Sequence, residues 1–149
     1  VTALAVIGGI AIGAWFRPLP DSKAPSAPLA PTYTDQQISD AKTNVCAAYQ
    51  KVHHAVLLAS STKYGDDQVA KQVVAEGGWQ ALDNGSMYLS TILTDEPAAP
   101  SDLAQAVRKL AKVYQLIALD YMTEANQSEL DSALRTGDEV TGTIERLCK

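Results

Sequence analysis

The sequence predicts an all-α chain: an antiparallel four-helix bundle joined by a proline-rich stalk to an N-terminal transmembrane helix. Three observations carry this. Val1 to Phe16 is apolar and uncharged, and prolines punctuate the run Pro18 to Pro31. From Thr34 onward, apolar residues recur at three- and four-residue spacing in an alanine-rich stretch, which is the period of one helix face. The chain divides accordingly into an anchor over residues 1–17, a linker over 18–33 and a helical bundle domain over 34–149.

Taken as a helix, Val1 to Phe16 rises only ~24 Å, short of the ~30 Å hydrocarbon core that about 20 apolar residues span. Two readings fit. The chain begins inside an anchor whose cytoplasmic end lies upstream, or the segment is the apolar part of a signal peptide. The valine start, the lack of upstream lysine or arginine and the lack of a clear small-x-small cleavage site after Phe16 favour an uncleaved anchor. Trp15, Phe16 and Arg17 form an interfacial boundary. Arg17 on the outer side conflicts mildly with the positive-inside rule, a conflict that basic residues upstream would resolve. Ala5, Gly9 and Gly13 lie on one helix face and would let another membrane helix approach closely; the bland reading is that small residues are common in such helices.

The stalk prolines exclude helix and favour an extended polyproline II chain. About 13 residues would hold the domain up to ~40 Å from the bilayer. A spacer is the simple role, and a docking strip for a partner the sharper one.

In the domain, Thr34-Asp-Gln-Gln37 reads as a capping box opening the first helix near Asp35. Ile38, Ala41, Val45, Ala48, Tyr49, Val52 and Val56 then share a face, and the helix should end between Ser60 and Gly65. A second helix begins near Asp66 or Asp67, with Val69 and Val73 on one face and Leu82, Leu89, Ile92 and Leu93 inward later. Gly77-Gly78 predicts a kink or break, and Asp83-Asn84-Gly85 is a second weak point where a turn would fit. Pro97 to Pro100 is a connection. A third helix follows, capped at or near Ser101, with Leu103, Val107, Leu110, Tyr114, Ile117 and Tyr121 in line. Leu116, Leu119 and Met122 make its later part apolar almost all round, so it is either the most buried helix or one with a surface for a partner. The fourth helix runs from about Ser128 to Leu147, with Leu130, Leu134, Gly137, Thr141, Ile144 and Cys148 inward.

The formal charge is −5, and Arg17 and Lys23 fall outside the domain, which is more acidic still. No basic stripe is present to neutralise phosphates, so the pattern speaks against nucleic acid and against adhesion to anionic lipid. The only phenylalanine, Phe16, lies in the anchor, so the core must be aliphatic with Trp79 and the tyrosines. The two cysteines, Cys46 and Cys148, form one disulfide in an oxidising compartment, or two buried thiols otherwise. In an up-down bundle they lie at one pole and can meet.

Chemistry-bearing patterns are sparse. His53 and His54 are adjacent, so they point about 100° apart and do not chelate one metal. Tyr49 and His53, one turn apart, are the speculative ligand-binding pair, a combination able to ligate haem iron; the bland reading is a boundary histidine beside the cysteine. No nucleophile elbow and no Walker or dinucleotide glycine pattern occurs. Asp120 and Glu124 are most simply a solvated face, and Asn84-Gly-Ser86 and Asn126-Gln-Ser128 match a sequon that matters only in a eukaryotic secretory pathway. Leu57, Leu58, Leu116 and Leu119 could contribute an exposed apolar patch. No catalytic residue, metal or cofactor is expected.

Cys46-Ala-Ala-Tyr49, Asn84-Gly-Ser-Met-Tyr-Leu89, Pro97 to Leu103 followed by Ala106-Val-Arg108, and the terminal Leu147-Cys148 resemble an actinobacterial, especially mycobacterial, group of alanine- and proline-rich single-span membrane proteins with an external helical domain. The resemblance extends over anchor, stalk and domain in layout, though its motifs are short. The group is largely uncharacterised, so no catalytic residues carry over. It implies a mycobacterial-type envelope location and a paired Cys46–Cys148. The short anchor without a basic cytoplasmic end departs from the group's pattern.

The expectation is thus a non-enzymatic, membrane-anchored accessory or scaffolding protein. It would sit in the plasma membrane with its C-terminal domain on the periplasmic or extracytoplasmic side, and its partners would be other membrane-protein subunits. The alternative is a periplasmic domain that binds a small ligand, haem or lipid.

Overall fold

The computed structural model describes residues 32–61, 67–123 and 126–149. They form four helices: α1 (Asp35–Ser61), α2 (Gln68–Asp95), α3 (Ser101–Met122) and α4 (Gln127–Leu147). No strand occurs among the described residues. The expected anchor, with Ala5, Gly9 and Gly13, and the stalk up to Pro31 lie outside the described residues. Among the described residues no helix is long and apolar enough to cross a membrane.

The N-terminus of α1 is the capping box expected from Thr34. Gln37 donates its backbone N–H to Thr34 Oγ1 at 3.2 Å, and Thr34 donates its own to Gln37 Oε1 at 2.9 Å. Asp67 caps α2 by accepting from the Val69 N–H, and Asn126 caps α4 by accepting from the Glu129 N–H. At α3 the cap position falls one residue before Ser101. Pro100 occupies the cap position without a side-chain bond, Ser101 is already helical, and Asp102 Oδ1 accepts from the Leu103 N–H at 2.8 Å. Proline's fixed φ suits the entry to a helix, and an acidic first turn suits the helix dipole.

The second helix is not broken. It runs through Gly77-Gly78 and through Asp83-Asn84-Gly85 without interruption. The three glycines differ in surroundings. A Cβ at Gly77 or Gly78 would meet nothing within 4 Å. A Cβ at Gly85 would lie 2.7 Å from Val52 Cγ1. Gly85 is therefore a place where α2 comes close to α1, not a turn. The next residue, Ser86, is fully buried and donates its hydroxyl to the Asp83 carbonyl at 2.8 Å, so it stays satisfied inside the helix.

Consecutive helices pack on one another, α1 on α2, α2 on α3 and α3 on α4, giving a helical bundle. Its core draws Val45, Tyr49 and Val52 from α1 and Leu82 and Leu89 from α2. From α3 come Leu103, Val107, Leu110, Tyr114 and Ile117, and from α4 Ala133, Val140 and Ile144. Cys46 and Cys148 form a disulfide with Cα atoms 5.7 Å apart, tying α1 to the residue that follows α4. Asn44 Nδ2 donates to Glu96 Oε1 at 2.6 Å, fixing α1 to the turn between α2 and α3.

Several residues expected inward are not. Ile38, Val69, Val73, Tyr121 and Leu134 are all exposed by more than a third. Ile38 sits in the first turn of α1 and Val69 in the first turn of α2. Tyr121 and Leu134 flank a groove rather than the packed core. In α4 the buried places go instead to Ala133 and Val140.

Candidate functional site

Of the concavities among the described helices, two bear on ligand binding; another, between α3 and α4, includes Leu116 and Asp120. The first is a shallow crevice of about 360 Å³ between α1 and the end of α4, lined by Tyr49, His53, His54, Leu57, Glu145 and Cys148 among others. The one-turn spacing of Tyr49 and His53 stacks their rings, with centroids 5.5 Å apart and planes 14° from parallel. Tyr49 itself is 3 % exposed. Its buried hydroxyl lies toward Thr141 and Glu145 of α4 but closes no hydrogen bond of good geometry. Burial, reinforced by the negative charge of Glu145, pushes the Tyr49 phenol up to about 12. Burial also raises Tyr114 to about 12, with Tyr49 and Asp138 adding to it. Two side chains stacked face to face do not converge on a shared iron. His54 stays exposed, as expected of its neighbouring position. Among the described residues no group of three or more His, Cys, Asp or Glu is placed to hold a metal ion.

The second concavity was not anticipated from sequence. It is a groove of about 360 Å³ to which all four helices contribute: Val56 of α1, Val74 and Trp79 of α2, Ile117 and Tyr121 of α3, and Leu134 of α4. It is bordered by the later half of α1, the first part of α2, the last part of α3 and the first part of α4. It therefore lies away from the disulfide, which joins the early part of α1 to the residue after α4. It exists because the residues facing one another there are small: Ala59, Ala75 and Gly78 leave room that larger side chains would fill. Among the described residues its only side-chain polar atoms are the Ser60 and Tyr121 hydroxyls and the Trp79 indole N–H, and none of those lining residues is charged. The Ser60 hydroxyl is already donated to the Leu57 carbonyl at 3.0 Å. The signal in the sequence was the cluster of alanine and glycine at the second helix's start, which reads as a weak helix until the opposing helices are in view.

Outside both concavities, α3 carries Leu116, Leu119 and Met122 along one edge, each at least half exposed. Each of the leucines considered for an exposed patch, Leu57, Leu58, Leu116 and Leu119, is at least half exposed. Lys51 Nζ sits 5.8 Å from the centroid of the Tyr88 ring.

No protein-family model, no curated protein and no solved structure matches this chain.

Proposed function

We propose that this chain is a non-enzymatic accessory protein of the cell envelope. An N-terminal single span would anchor it, a proline-rich stalk would carry the bundle on the extracytoplasmic side, and the bundle would associate with a larger membrane complex such as a respiratory, transport or secretion assembly. The observation that carries this reading is the exposed row Leu116, Leu119 and Met122 on α3. A monomeric domain gains nothing by leaving three large apolar side chains in line in water, whereas a partner surface does. The disulfide supports an oxidising compartment outside the cytoplasm. An up-down antiparallel order of the helices accounts for that bond, because it brings the early part of α1 beside the end of α4. The order anchor, stalk and domain, and the likeness to mycobacterial single-span proteins, point the same way.

The test is mild-detergent purification of the tagged full-length protein from its native membrane, with mass spectrometry of what accompanies it. A stoichiometric complex, retained by the unmodified chain and lost on Leu116→Glu with Leu119→Glu, is the expected result. Recovery of the folded protein alone, or a complex indifferent to those substitutions, overturns the proposal. Of the alternative reading, a small-ligand domain, the geometry favours the apolar arm through the four-helix groove and not the haem arm through Tyr49 and His53.

A further inference from the structure

We propose that the groove among the four helices binds one unbranched hydrocarbon chain, a fatty-acyl chain, with its polar end at the mouth beside Tyr121. The inference uses only the described helices and stands whether or not a partner complex exists.

The composition of the walls selects the chemistry. Among its described lining residues none is charged and the Ser60 hydroxyl is committed to its own helix, so these walls offer no compensation for the desolvation of an ion, a sugar or a nucleotide. Apolar walls of this kind hold water poorly and take an apolar guest instead; an engineered cavity of about 150 Å³ already binds benzene. At about 360 Å³ this groove is more than twice that size and falls in the lower range of ligand pockets, roughly 300–1,000 Å³.

The shape favours a chain over a compact ring. The α2 wall extends from Val74 to Leu82, about 12 Å of helix at ~1.5 Å per residue. Val56, Ala59 and Ser60 of α1 face it across a full turn. Gly78 lies in the middle of the α2 wall with open space beyond its Cα, so the groove is not pinched at its centre. Tyr121 and Leu134 line the groove yet remain 53 % and 41 % exposed, so that side opens to water. A carboxylate or an ester head placed there stays hydrated, with the Tyr121 hydroxyl as a donor within the mouth.

The same chemistry can arrive as a free fatty acid or as the tail of a membrane lipid, and the experiment separates the two. Full-length protein is reconstituted into phosphatidylcholine vesicles. They contain either palmitic acid with a photoactivatable diazirine in its chain, or phosphatidylcholine with the same group in one acyl tail. After irradiation, labelled peptides are mapped by mass spectrometry. Labelling is expected on the segments around Val74 to Leu82 and Ile117 to Tyr121, and excess unlabelled palmitate should remove at least nine-tenths of the palmitic-acid label there. Label from the free acid alone identifies a fatty-acid site, and label from the phospholipid as well identifies a site reached by membrane lipid.

Gly78→Leu, which sends a side chain into the open space, should cut the groove label at least ten-fold. Gly77→Leu, one residue away and outside the groove lining, should leave it unchanged. Both replace glycine by a good helix former, so both should keep or raise the melting temperature, and loss of label in one alone cannot be unfolding. Absence of label on these segments with both probes overturns the proposal. So does label that persists in a folded Gly78→Leu protein, or label that unlabelled palmitate does not displace.

Discussion

Replacing Gly85 by alanine should destabilise the domain, whereas the same change at Gly77 or Gly78 should stabilise it, although all three lie inside α2. The common term is helix propensity: alanine is better than glycine by about 1 kcal/mol in a helix interior. At Gly77 and Gly78 a Cβ meets nothing within 4 Å, so that gain stands alone. At Gly85 the new methyl would lie 2.7 Å from Val52 Cγ1. Val52 is buried and β-branched, so its χ1 is largely fixed in the helix and it cannot turn aside. The helices must separate, and overpacking of this kind costs about 1–3 kcal/mol. The net at Gly85 is a loss of roughly 1 kcal/mol, against a gain of roughly 1 kcal/mol at each of the others. At about 4 °C per kcal/mol for a domain of this size, the variants should melt roughly 8 °C apart. Thermal and urea unfolding followed by circular dichroism gives both quantities. A Val52→Ala change should cost less in the Gly85→Ala background than in the unmodified chain, because it removes the obstacle. Equal stabilisation at all three positions would refute the close approach of α1 and α2 at Gly85.

Three other outcomes follow from the described geometry. Replacing both cysteines by serine, or reducing the bond, should cost about 4–5 kcal/mol on the loop-entropy model for a separation of 102 residues, read as a lower urea midpoint. Because Tyr49 and Tyr114 stay protonated up to about 12 when folded but ionise near 10 when unfolded, stability should be level below pH 10 and fall as pH rises from 10 to 12. Tyr49→Phe should flatten that decline at little cost near neutrality, since its hydroxyl makes no hydrogen bond, and unfolding at a series of alkaline pH values tests it. Thr34→Ala should lower stability by about 1 kcal/mol through loss of the cap on α1, measured by urea unfolding.

Much of the bundle was legible along the chain because its signals are local. The capping box at Thr34 involves residues three apart and needs no tertiary partner. The alternation that buries Val45, Tyr49 and Val52, and later Leu103, Val107, Leu110 and Tyr114, is the helix period itself. The misreadings arose where a residue's role depends on what stands across from it. Gly77, Gly78 and Gly85 look alike in sequence; one touches α1, one opens a groove, and one faces open space. Leu134 has the spacing of a core residue but ends beside that groove, and Ala133 takes the buried place.

The sequence by itself determined the helical class, the four segments, the cap at Thr34 and the acidic, aliphatic character of the domain. Each of these follows from dihedral preference, from hydrogen bonds between near neighbours or from composition. Only the tertiary structure decided that α2 is continuous, that Tyr49 buries an unpartnered hydroxyl, and that four helices leave an apolar groove lined by Trp79 and Gly78. Those outcomes are set by distances between residues far apart in the chain. Pattern along one helix fixes which side faces inward, but not how closely the next helix approaches or where small side chains leave space unfilled.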